Sequence, residues 1–347
     1  MNKCLKLLPL VIVASLTACE KYQSLSNNSL LLFGTPKIEL SMKAENNFNG
    51  SKTFSDIIET LKTVDKYADT KEREVTNVYT LNHTNEKVEI SKDLYRLLKR
   101  AKELQEIKYF NPLIGSLSNK WKEALNPTKD SGLEPRVLSQ AEIDEELAKI
   151  NSSELKIEET AQGYFAQRVG EAQIDLGAIA KGYALDECLN KLEHCTGDTD
   201  DYLFNLGNSS ILTGFNSQRI RVWKQPDYEE GVYVINVTSV RNQERLRIYN
   251  SFISTSGVSE QGVTINNQVY SHIINPETGS AINYYDQVTV ISADTWGNGA
   301  LGDVLSTSLM MGTEDDIKAA EKKYDVKVIA LKNGNIVYKS ESVTLYF

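Results

Sequence analysis

Apolar and polar residues alternate one by one over residues 37–42, and a period of two predicts a half-buried β-strand. Residues 54–64 then place apolar side chains three and four positions apart, which predicts a helix. A second amphipathic helix is predicted over residues 93–106, with Ser91 as its candidate cap. Strand and helix therefore alternate from the start of the folded chain.

The rest of the pattern continues this mixture. Residues 109–121 combine aromatic residues, Pro and Gly, which is typical of a loop entering a short helix. Further helices are predicted at residues 140–150, 299–312 and 314–324, and further strands at 201–206, 220–223, 232–237, 246–248, 287–292, 326–331 and 336–339. Gly214 is expected in a turn, and residues 253–257 and 271–279 are expected to be loops. We therefore expect an α+β fold with mixed or antiparallel sheets.

One stretch, residues 173–187, is expected to organise the chain. It is predicted to be a strand end that feeds a helix N-terminus, where free N–H groups and the helix dipole favour anionic oxygens. Gly177 and Gly182 remove side chains where a ligand would press on the backbone, and Lys181 adds a positive charge. The alternative is an ordinary strand-to-helix junction without a ligand.

The chain of 347 residues carries a formal net charge of −9. Its length predicts two domains or one two-lobed unit. The acidic balance argues against broad nucleic-acid binding. Any phosphate must therefore be held locally by a loop, a metal ion or a single Lys.

The N-terminus resembles a lipoprotein signal. Lys3 and Lys6 precede an apolar run over residues 7–16, and Leu16-Thr17-Ala18-Cys19 resembles a bacterial lipobox. The prediction is a signal peptide over residues 1–18, cleavage before Cys19, acylation of its thiol and a tether over residues 19–30. The exported protein would then be anchored to the outer face of the membrane. The alternative is a plain secretory signal with an incidental Cys.

Two further cysteines, Cys188 and Cys195, lie on one predicted helix. Seven positions of helix separate them by about 10 Å, which is too far for a disulfide unless the helix ends between them. His194 makes a metal site conceivable, but a fourth ligand is missing. We expect two buried or idle thiols.

Asp303 and Thr307 are spaced four residues apart on a predicted helix. This spacing places a carboxylate and a hydroxyl on one face, about 6 Å apart. Hard oxygen ligands of this kind suit Mg²⁺, which takes one or two carboxylates and completes its shell with water or phosphate. The alternative is a buried Asp303 that only bonds neighbouring backbone.

Five short motifs follow one another along the chain. They are IDLGAIAKGY at 174–183, NLG at 205–207, STSG at 254–257, SHIINPETG at 271–279 and GDVLST at 302–307. With these motifs the chain resembles the FAD:protein FMN transferase family, also called ApbE-type flavin transferases. The resemblance covers nearly all of the chain from residue 33 to the end. It implies the two-lobed fold of that family over residues 31–347, with an N-terminal lobe of about residues 31–170 and a C-terminal lobe of about 171–347.

The family binds FAD with its pyrophosphate against Mg²⁺ and transfers FMN to a Ser or Thr hydroxyl of a target protein, releasing AMP. The resemblance implies that the Ala178 carbonyl and the side chains of Asp303 and Thr307 hold the metal ion. His272 is the natural general base, because a neutral imidazole can take the proton of the attacking hydroxyl. The alternative is a loop histidine that bonds backbone, with a carboxylate as the base.

The FAD contacts implied by the resemblance are Asp175, Lys181 and Ile274 in the C-terminal lobe and Phe33, Tyr67, Tyr109, Phe110 and Asn111 in the N-terminal lobe. The chain also departs from the family at several positions, most of them in the N-terminal lobe. Phe33 stands where Met is common, Asn111 stands where Asp is usual, and Asn208 replaces a Gly. Charged residues at 71–74 replace a Ser-rich motif. An aromatic Phe33 can still pack on the flavin ring, and Asn111 keeps a hydrogen-bond acceptor.

The resulting hypothesis is an exported enzyme that transfers FMN from FAD to a Thr or Ser of a redox protein with the help of Mg²⁺. Its partners would be FAD, the acceptor protein and, through the lipid anchor, a membrane, and not nucleic acid. Two alternatives stay open. In one, water replaces the protein hydroxyl, so that FAD is hydrolysed to FMN and AMP. In the other, the protein is a lipoprotein that binds FAD without catalysis.

Overall fold

The computed structural model describes residues 22–35, 38–128, 132–193, 199–207, 209–215, 233–236, 245–248, 250–258, 262–343 and 345–346. Several predicted features lie outside these ranges. They are the signal peptide with Cys19, the strand at 220–223, and residues His194, Cys195 and Asn208. Cys188 lies inside them as a buried free thiol.

The helices are α1 (Phe48–Ala68), α2 (Val78–Asn82), α3 (Lys92–Leu104), α4 (Gly115–Leu125), α5 (Gln140–Asn151), α6 (Ala180–Glu193), α7 (Asn298–Leu309) and α8 (Glu314–Tyr324). The strands of the first half are β1 (Tyr22–Asn27), β2 (Ile38–Glu45), β3 (Val88–Ile90), β4 (Glu154–Thr160) and β5 (Gly163–Val169). Those of the second half are β6 (Thr199–Leu206), β7 (Ser210–Phe215), β8 (Tyr233–Asn236), β9 (Arg245–Ile248), β10 (Ser251–Gly257), β11 (Val263–Ile265), β12 (Gln268–Tyr270), β13 (Gln287–Ala293), β14 (Lys327–Lys332), β15 (Asn335–Lys339) and β16 (Leu345–Tyr346).

The largest sheet among the described residues has eight strands, in the order β1-β2-β6-β7-β10-β13-β14-β15. Every pairing within it is antiparallel. Smaller antiparallel sheets have the orders β3-β5-β4, β11-β12 and β16-β9-β8. The predicted α+β class is confirmed. Among the described residues, no helix has both the length and the apolarity needed to cross a bilayer.

The predicted amphipathic elements form where the patterns place them. In β2, buried and more exposed positions alternate, as a strand with one face on the core requires. In α3, the Ser91 side chain accepts a hydrogen bond from the Leu94 N–H and so caps the helix as expected. One face of α3, from Leu94 to Leu104, is buried.

Helices α6 and α7 lie at the centre of the molecule. They pack on each other, α1 packs on α6, and α7 packs on β10 and β13. Close contact between α6 and α7 depends on two glycines. A Cβ at Gly182 would lie 2.0 Å from the Gly299 carbonyl oxygen, and one at Gly299 would lie 2.3 Å from the Gly182 oxygen. The backbones therefore meet directly, which only glycine permits.

The structure corrects the expected tether over residues 19–30. Its residues Tyr22–Asn27 form β1, which pairs with β2 at the edge of the large sheet. Ser- and Asn-rich sequence is tolerated there because an edge strand takes its hydrogen bonds from one neighbour and leaves most of its side chains partly exposed.

The stretch 253–257, expected to be a loop, belongs to strand β10. Its polar residues are explained by what they face, since Ser254 and Ser256 point to α7 and hydrogen-bond side chains of that helix. Gly214 lies in β7 and not in a turn. A Cβ there would fall 2.0 Å from the ring of Tyr202, the residue paired with it on β6.

The strand expected before α6 is also absent. Residues 172–176 belong to no strand. Their backbone groups form hydrogen bonds with another loop and with the side chain of Asn82 instead. The Ile174 N–H donates to Asn82 Oδ1 at 2.7 Å, the Asn82 side-chain amide donates to the Ile174 oxygen at 2.9 Å, and the Asp175 N–H donates to the Pro112 oxygen at 2.8 Å. Tertiary contacts thus replace the strand ladder.

Candidate functional site

A cavity of about 1070 Å³ opens between the N-terminal turn at residues 31–34, the end of α1, the loop before α4, the start of α6 and the helix α7. The predicted site residues that line it are Phe33, Tyr109, Phe110, Asn111, Asp175, Ala178, Lys181, His272, Ile274, Asp303 and Thr307. These residues come from widely separated parts of the sequence. Tyr67 is not among the lining residues and packs against the core, although Ala68 and Asp69 next to it do line the cavity.

Asp303 lies at the inner end of the cavity and is only 6% exposed. Its Oδ1 accepts hydrogen bonds from the hydroxyls of Ser210 at 2.7 Å and Ser254 at 2.8 Å, and its Oδ2 accepts one from the Gly182 N–H at 2.6 Å. Burial raises the pKa of this carboxyl, while the charge of Lys181 and the three hydrogen bonds oppose the rise. Neutral donors therefore surround the carboxylate.

Thr307 lies one turn further along α7, in a cluster of hydroxyls. Its Oγ1 is 3.1 Å from the Ser256 Oγ, which in turn is 2.9 Å from the Ser306 Oγ. Ser306 donates to the Asp303 carbonyl oxygen at 3.0 Å. The face of α7 that was expected to carry Asp303 and Thr307 together does so and also carries Ser306, and β10 supplies Ser256 as the hydrogen-bond partner of Thr307.

Short hydrogen bonds shape the start of α6. Asp175 Oδ1 accepts from the Gly177 N–H at 2.7 Å, which closes a tight turn just before the helix. The Lys181 ammonium donates to the Ser209 hydroxyl at 2.5 Å, and both residues line the cavity. The turn before α6 therefore presents Ala178, and the first turn of α6 presents Lys181, to the same cavity as Asp303.

His272 is exposed at the cavity rim in the loop of residues 271–279, which was expected and is confirmed as a loop. The Asn275 side chain accepts from the Glu277 N–H at 2.8 Å and the Thr278 N–H at 3.2 Å. The loop closes at Gly279, whose carbonyl accepts the buried Trp121 indole N–H at 2.8 Å. The loop is therefore tied to α4 through its backbone.

Two aromatic residues at the cavity have left-handed backbone conformations, Phe33 with φ 53° and Tyr109 with φ 65°. Such values are uncommon outside glycine and indicate positions that surrounding contacts hold in place. The Phe33 N–H donates to Asp65 Oδ1 at 2.5 Å. Burial raises the pKa of Asp65, and the Phe33 hydrogen bond opposes this rise.

Asn111 keeps the acceptor role expected of it. Its Oδ1 accepts from the Leu113 N–H at 2.9 Å and from the Gln105 side chain at 3.3 Å. A neutral amide is sufficient for this turn, because only the oxygen is used. Several other polar residues line the cavity although no local sequence pattern predicts a role for them, and they are Asp65, Lys71, Arg73, Ser209, Ser210, Ser256 and Ser306.

The donor set fits a hard divalent cation. Asp303 uses three of its roughly four acceptor positions, which leaves one on Oδ2. The Thr307 hydroxyl and residue Ala178 line the same cavity. No cluster of three or more His, Cys, Asp or Glu side chains occurs in the described part of the chain. A site with one carboxylate, one hydroxyl and one carbonyl does not need such a cluster, because Mg²⁺ retains water and substrate oxygens.

Comparisons with known proteins agree on one family. A model of the ApbE family matches residues 35–330. An FAD:protein FMN transferase of Klebsiella pneumoniae (strain 342) is 27% identical over 321 residues, covering 90% of this chain and 91% of its own length. One of Haemophilus influenzae is 23% identical over 345 residues, covering 97% and 95%. The crystal structure of the ApbE protein of Thermotoga maritima matches with a TM-score of 0.70 at 21% identity, covering 92% of this chain and 97% of that one, which shows a shared fold.

Proposed function

The chain belongs to the ApbE family, and on that premise we propose that it is a flavin transferase that moves FMN from FAD onto a protein. One observation carries the proposal. A buried carboxylate, a lysine, a helix start and an exposed histidine line one cavity. At about 1070 Å³, that cavity is slightly larger than the usual range for small-molecule sites, which suits a ligand as large as a dinucleotide.

In the proposed complex, the FAD pyrophosphate lies at the start of α6. The positive end of the helix dipole favours phosphate oxygens there, and Lys181 adds a full charge. The flavin ring lies toward Phe33, Tyr109 and Phe110, whose side chains offer flat apolar surface. Asp175 and Ile274 complete the FAD contacts at the opening.

We propose Mg²⁺ as the metal ion, held by the Asp303 carboxylate, the Thr307 hydroxyl and the Ala178 carbonyl oxygen. When bound, it would neutralise charge on the pyrophosphate, which is the main requirement of phosphoryl-transfer chemistry. The chain itself pre-arranges this site. Ser210 and Ser254 fix Asp303, and Ser256 fixes Thr307.

The proposed reaction begins with an acceptor Thr or Ser hydroxyl beside His272. A ring nitrogen of His272 takes the hydroxyl proton, and the oxygen attacks the phosphorus of the FMN half of FAD. A P–O bond forms to the acceptor, the P–O bond to the AMP half breaks, and AMP leaves with its phosphate. The exposed position of His272 leaves room for a protein substrate at the rim.

Incubation of the protein with FAD, Mg²⁺ and a candidate exported acceptor, followed by mass spectrometry, tests the proposal. An FMN-sized addition on a Thr or Ser supports it. Free FMN and AMP without an adduct indicate hydrolysis, and intact FAD indicates binding alone. We expect Asp303→Ala to abolish metal-dependent turnover, and undiminished turnover would overturn the metal assignment.

We also propose that the protein is exported and anchored by lipid at Cys19, because residues 16–19 resemble a lipobox. Metabolic labelling with a palmitate analogue tests this directly. Label should appear in the wild-type protein and disappear in Cys19→Ala. Equal labelling of both would contradict the anchor.

A further inference from the structure

Two carboxylates connect α6 and α7 in opposite directions. Asp186 of α6 is fully buried. Its Oδ1 accepts from the N–H groups of Gly297 at 2.9 Å and Gly299 at 2.8 Å, and its Oδ2 accepts from the Ala300 N–H at 2.8 Å. The first N–H groups of a helix have no partner within it. Because the N-cap residue of α7 is Gly297, which offers no capping side chain, Asp186 provides the cap from the neighbouring helix.

Asp303 of α7 makes the reverse contact. Its Oδ2 accepts from the Gly182 N–H at 2.6 Å, in the first turn of α6. Each helix therefore caps the N-terminal turn of the other with a carboxylate. We call this pair of contacts, made by Asp186 and Asp303, the reciprocal cap.

The reciprocal cap acts where the two backbones touch. Gly182 and Gly299 lie against each other without room for a Cβ, and Gly299 is itself one of the residues bonded by Asp186. From the opposite side, Arg100 of α3 donates to the Gly297 carbonyl at 2.9 Å. The first turn of α7 is thus held from α6 and from α3.

We propose that Asp186 is a positioning residue for the metal site. It touches neither the cavity nor the predicted metal ligands. By fixing the first turn of α7 against α6, it sets where Asp303 and Thr307 lie relative to Ala178. The part of this inference that concerns the metal ion rests on the proposed function, whereas the coupling between the two caps does not.

Amide hydrogen exchange tests the coupling without any ligand. In Asp186→Asn, a side-chain NH₂ group replaces one acceptor oxygen. Two donors then face each other, because this NH₂ lies opposite an N–H of α7, and we expect the start of α7 to loosen. We expect exchange at the Gly182 amide, on the other helix, to accelerate about tenfold, the change that the loss of one modest hydrogen bond allows. The control is Ile150→Ala, at a buried residue of α5, the helix that packs on α4. Exchange in each variant is measured at the same number of degrees below that variant's own thermal midpoint. Equal exchange rates at the Gly182 amide in both variants would overturn the coupling between the two caps.

Metal affinity tests the positioning role. Binding of Mn²⁺, used as a spectroscopic probe with ADP present, is followed by electron paramagnetic resonance of the free ion. We expect Asp186→Asn to bind about 10- to 100-fold more weakly than the wild type, as for other residues that orient metal ligands. Glu187→Gln is the matched control, because Glu187 is the adjacent residue and bonds Arg96 of α3 at 3.0 Å.

The outcomes separate the two ideas. Faster Gly182 exchange with unchanged Mn²⁺ affinity would overturn the positioning role of Asp186. If the wild type itself binds no Mn²⁺ with ADP, the metal assignment of the proposed function fails, and the positioning role fails with it. If Asp186→Asn does not fold, Asp186→Ser takes its place, because a Ser hydroxyl still accepts an N–H at a helix start. Its effects on exchange and affinity should be smaller but in the same direction.

Discussion

Substituting Gly182 by Ala tests the arrangement on which the site depends. The added Cβ would lie 2.0 Å from the Gly299 oxygen, 2.4 Å from the Gly299 carbonyl carbon and 2.8 Å from Asp303 Cγ. Ordinary contacts of this kind begin at 3.4 Å, so α6 and α7 must separate by about 1.4 Å. Because the obstructing atoms belong to the backbone of a buried helix, no side-chain rotation can relieve the contact, and the helices themselves must move.

The size of the effect follows from two opposing terms. In an open helix, Gly→Ala stabilises by about 1 kcal/mol. Overpacking a close contact costs about 1–3 kcal/mol, and the upper part of that range applies here because the obstacle is backbone. We therefore expect a net loss of about 1–2 kcal/mol in the free energy of unfolding. Activity should suffer more, since a displacement near 1 Å in a catalytic arrangement can reduce the rate about 100-fold.

The assay compares thermal midpoints, Mg²⁺ dependence and FMN transfer for Gly182→Ala and Gly50→Ala. Gly50 is a matched control in α1, where a Cβ would lie 2.5 Å from the Glu45 oxygen and where the other nearest atoms belong to Ala44 and Gln23. Both variants should lose stability, but only Gly182→Ala should need more Mg²⁺ and transfer FMN slowly. Wild-type transfer and Mg²⁺ dependence in Gly182→Ala would refute the reasoning that helix contact sets the site.

Three further outcomes are expected. His272→Ala should lose FMN transfer while still binding FAD, measured by flavin fluorescence, whereas His83→Ala should keep both because His83 stacks on a tyrosine away from the cavity. Trp121→Phe should cost about 1–3 kcal/mol of stability in chemical denaturation by leaving the carbonyl that closes the His272 loop unpaired, and an unchanged midpoint would contradict this. Hydrogen bonds from Arg136, and then from a capping serine, lower the pKa of Glu142. The ionised Glu142 side chain therefore contributes to stability above about pH 4.5, and this contribution is lost as the pH falls below that value. In Glu142→Gln, the thermal midpoint should depend less on pH over the same acidic range.

Much of the candidate site could be predicted because its residues lie in short contiguous motifs. Asp303 and Thr307 share a helix, so their common face follows from a spacing of four residues. The turn at Asp175 and Gly177 is equally local. His272 lies between turn-forming residues that predict an exposed loop, and the structure confirms that loop.

What could not be predicted depends on contacts between distant segments. Residues 253–257 have the Ser, Thr and Gly content of a loop, and only the position of α7 explains why Ser254 and Ser256 belong in a strand. The same holds for Asp186, which has the local pattern of an ordinary helical residue. Its role appears only when Gly297 and Ala300, more than 100 positions later, are seen beside it.

The arrangement around Asp303 explains why such distant contacts matter for function. A buried carboxylate that is ion-paired within the protein would have its charge already compensated, with less attraction left for a cation. Among the described residues, no cation forms a salt bridge with Asp303, because Lys181 acts on it only through its charge and gives its hydrogen bond to Ser209. Neutral hydroxyl and amide donors hold the carboxylate instead, so its orientation is fixed while its charge stays available. Those donors come from three separate segments, β7, β10 and α6, so the fold has to assemble before the proposed cation site can exist.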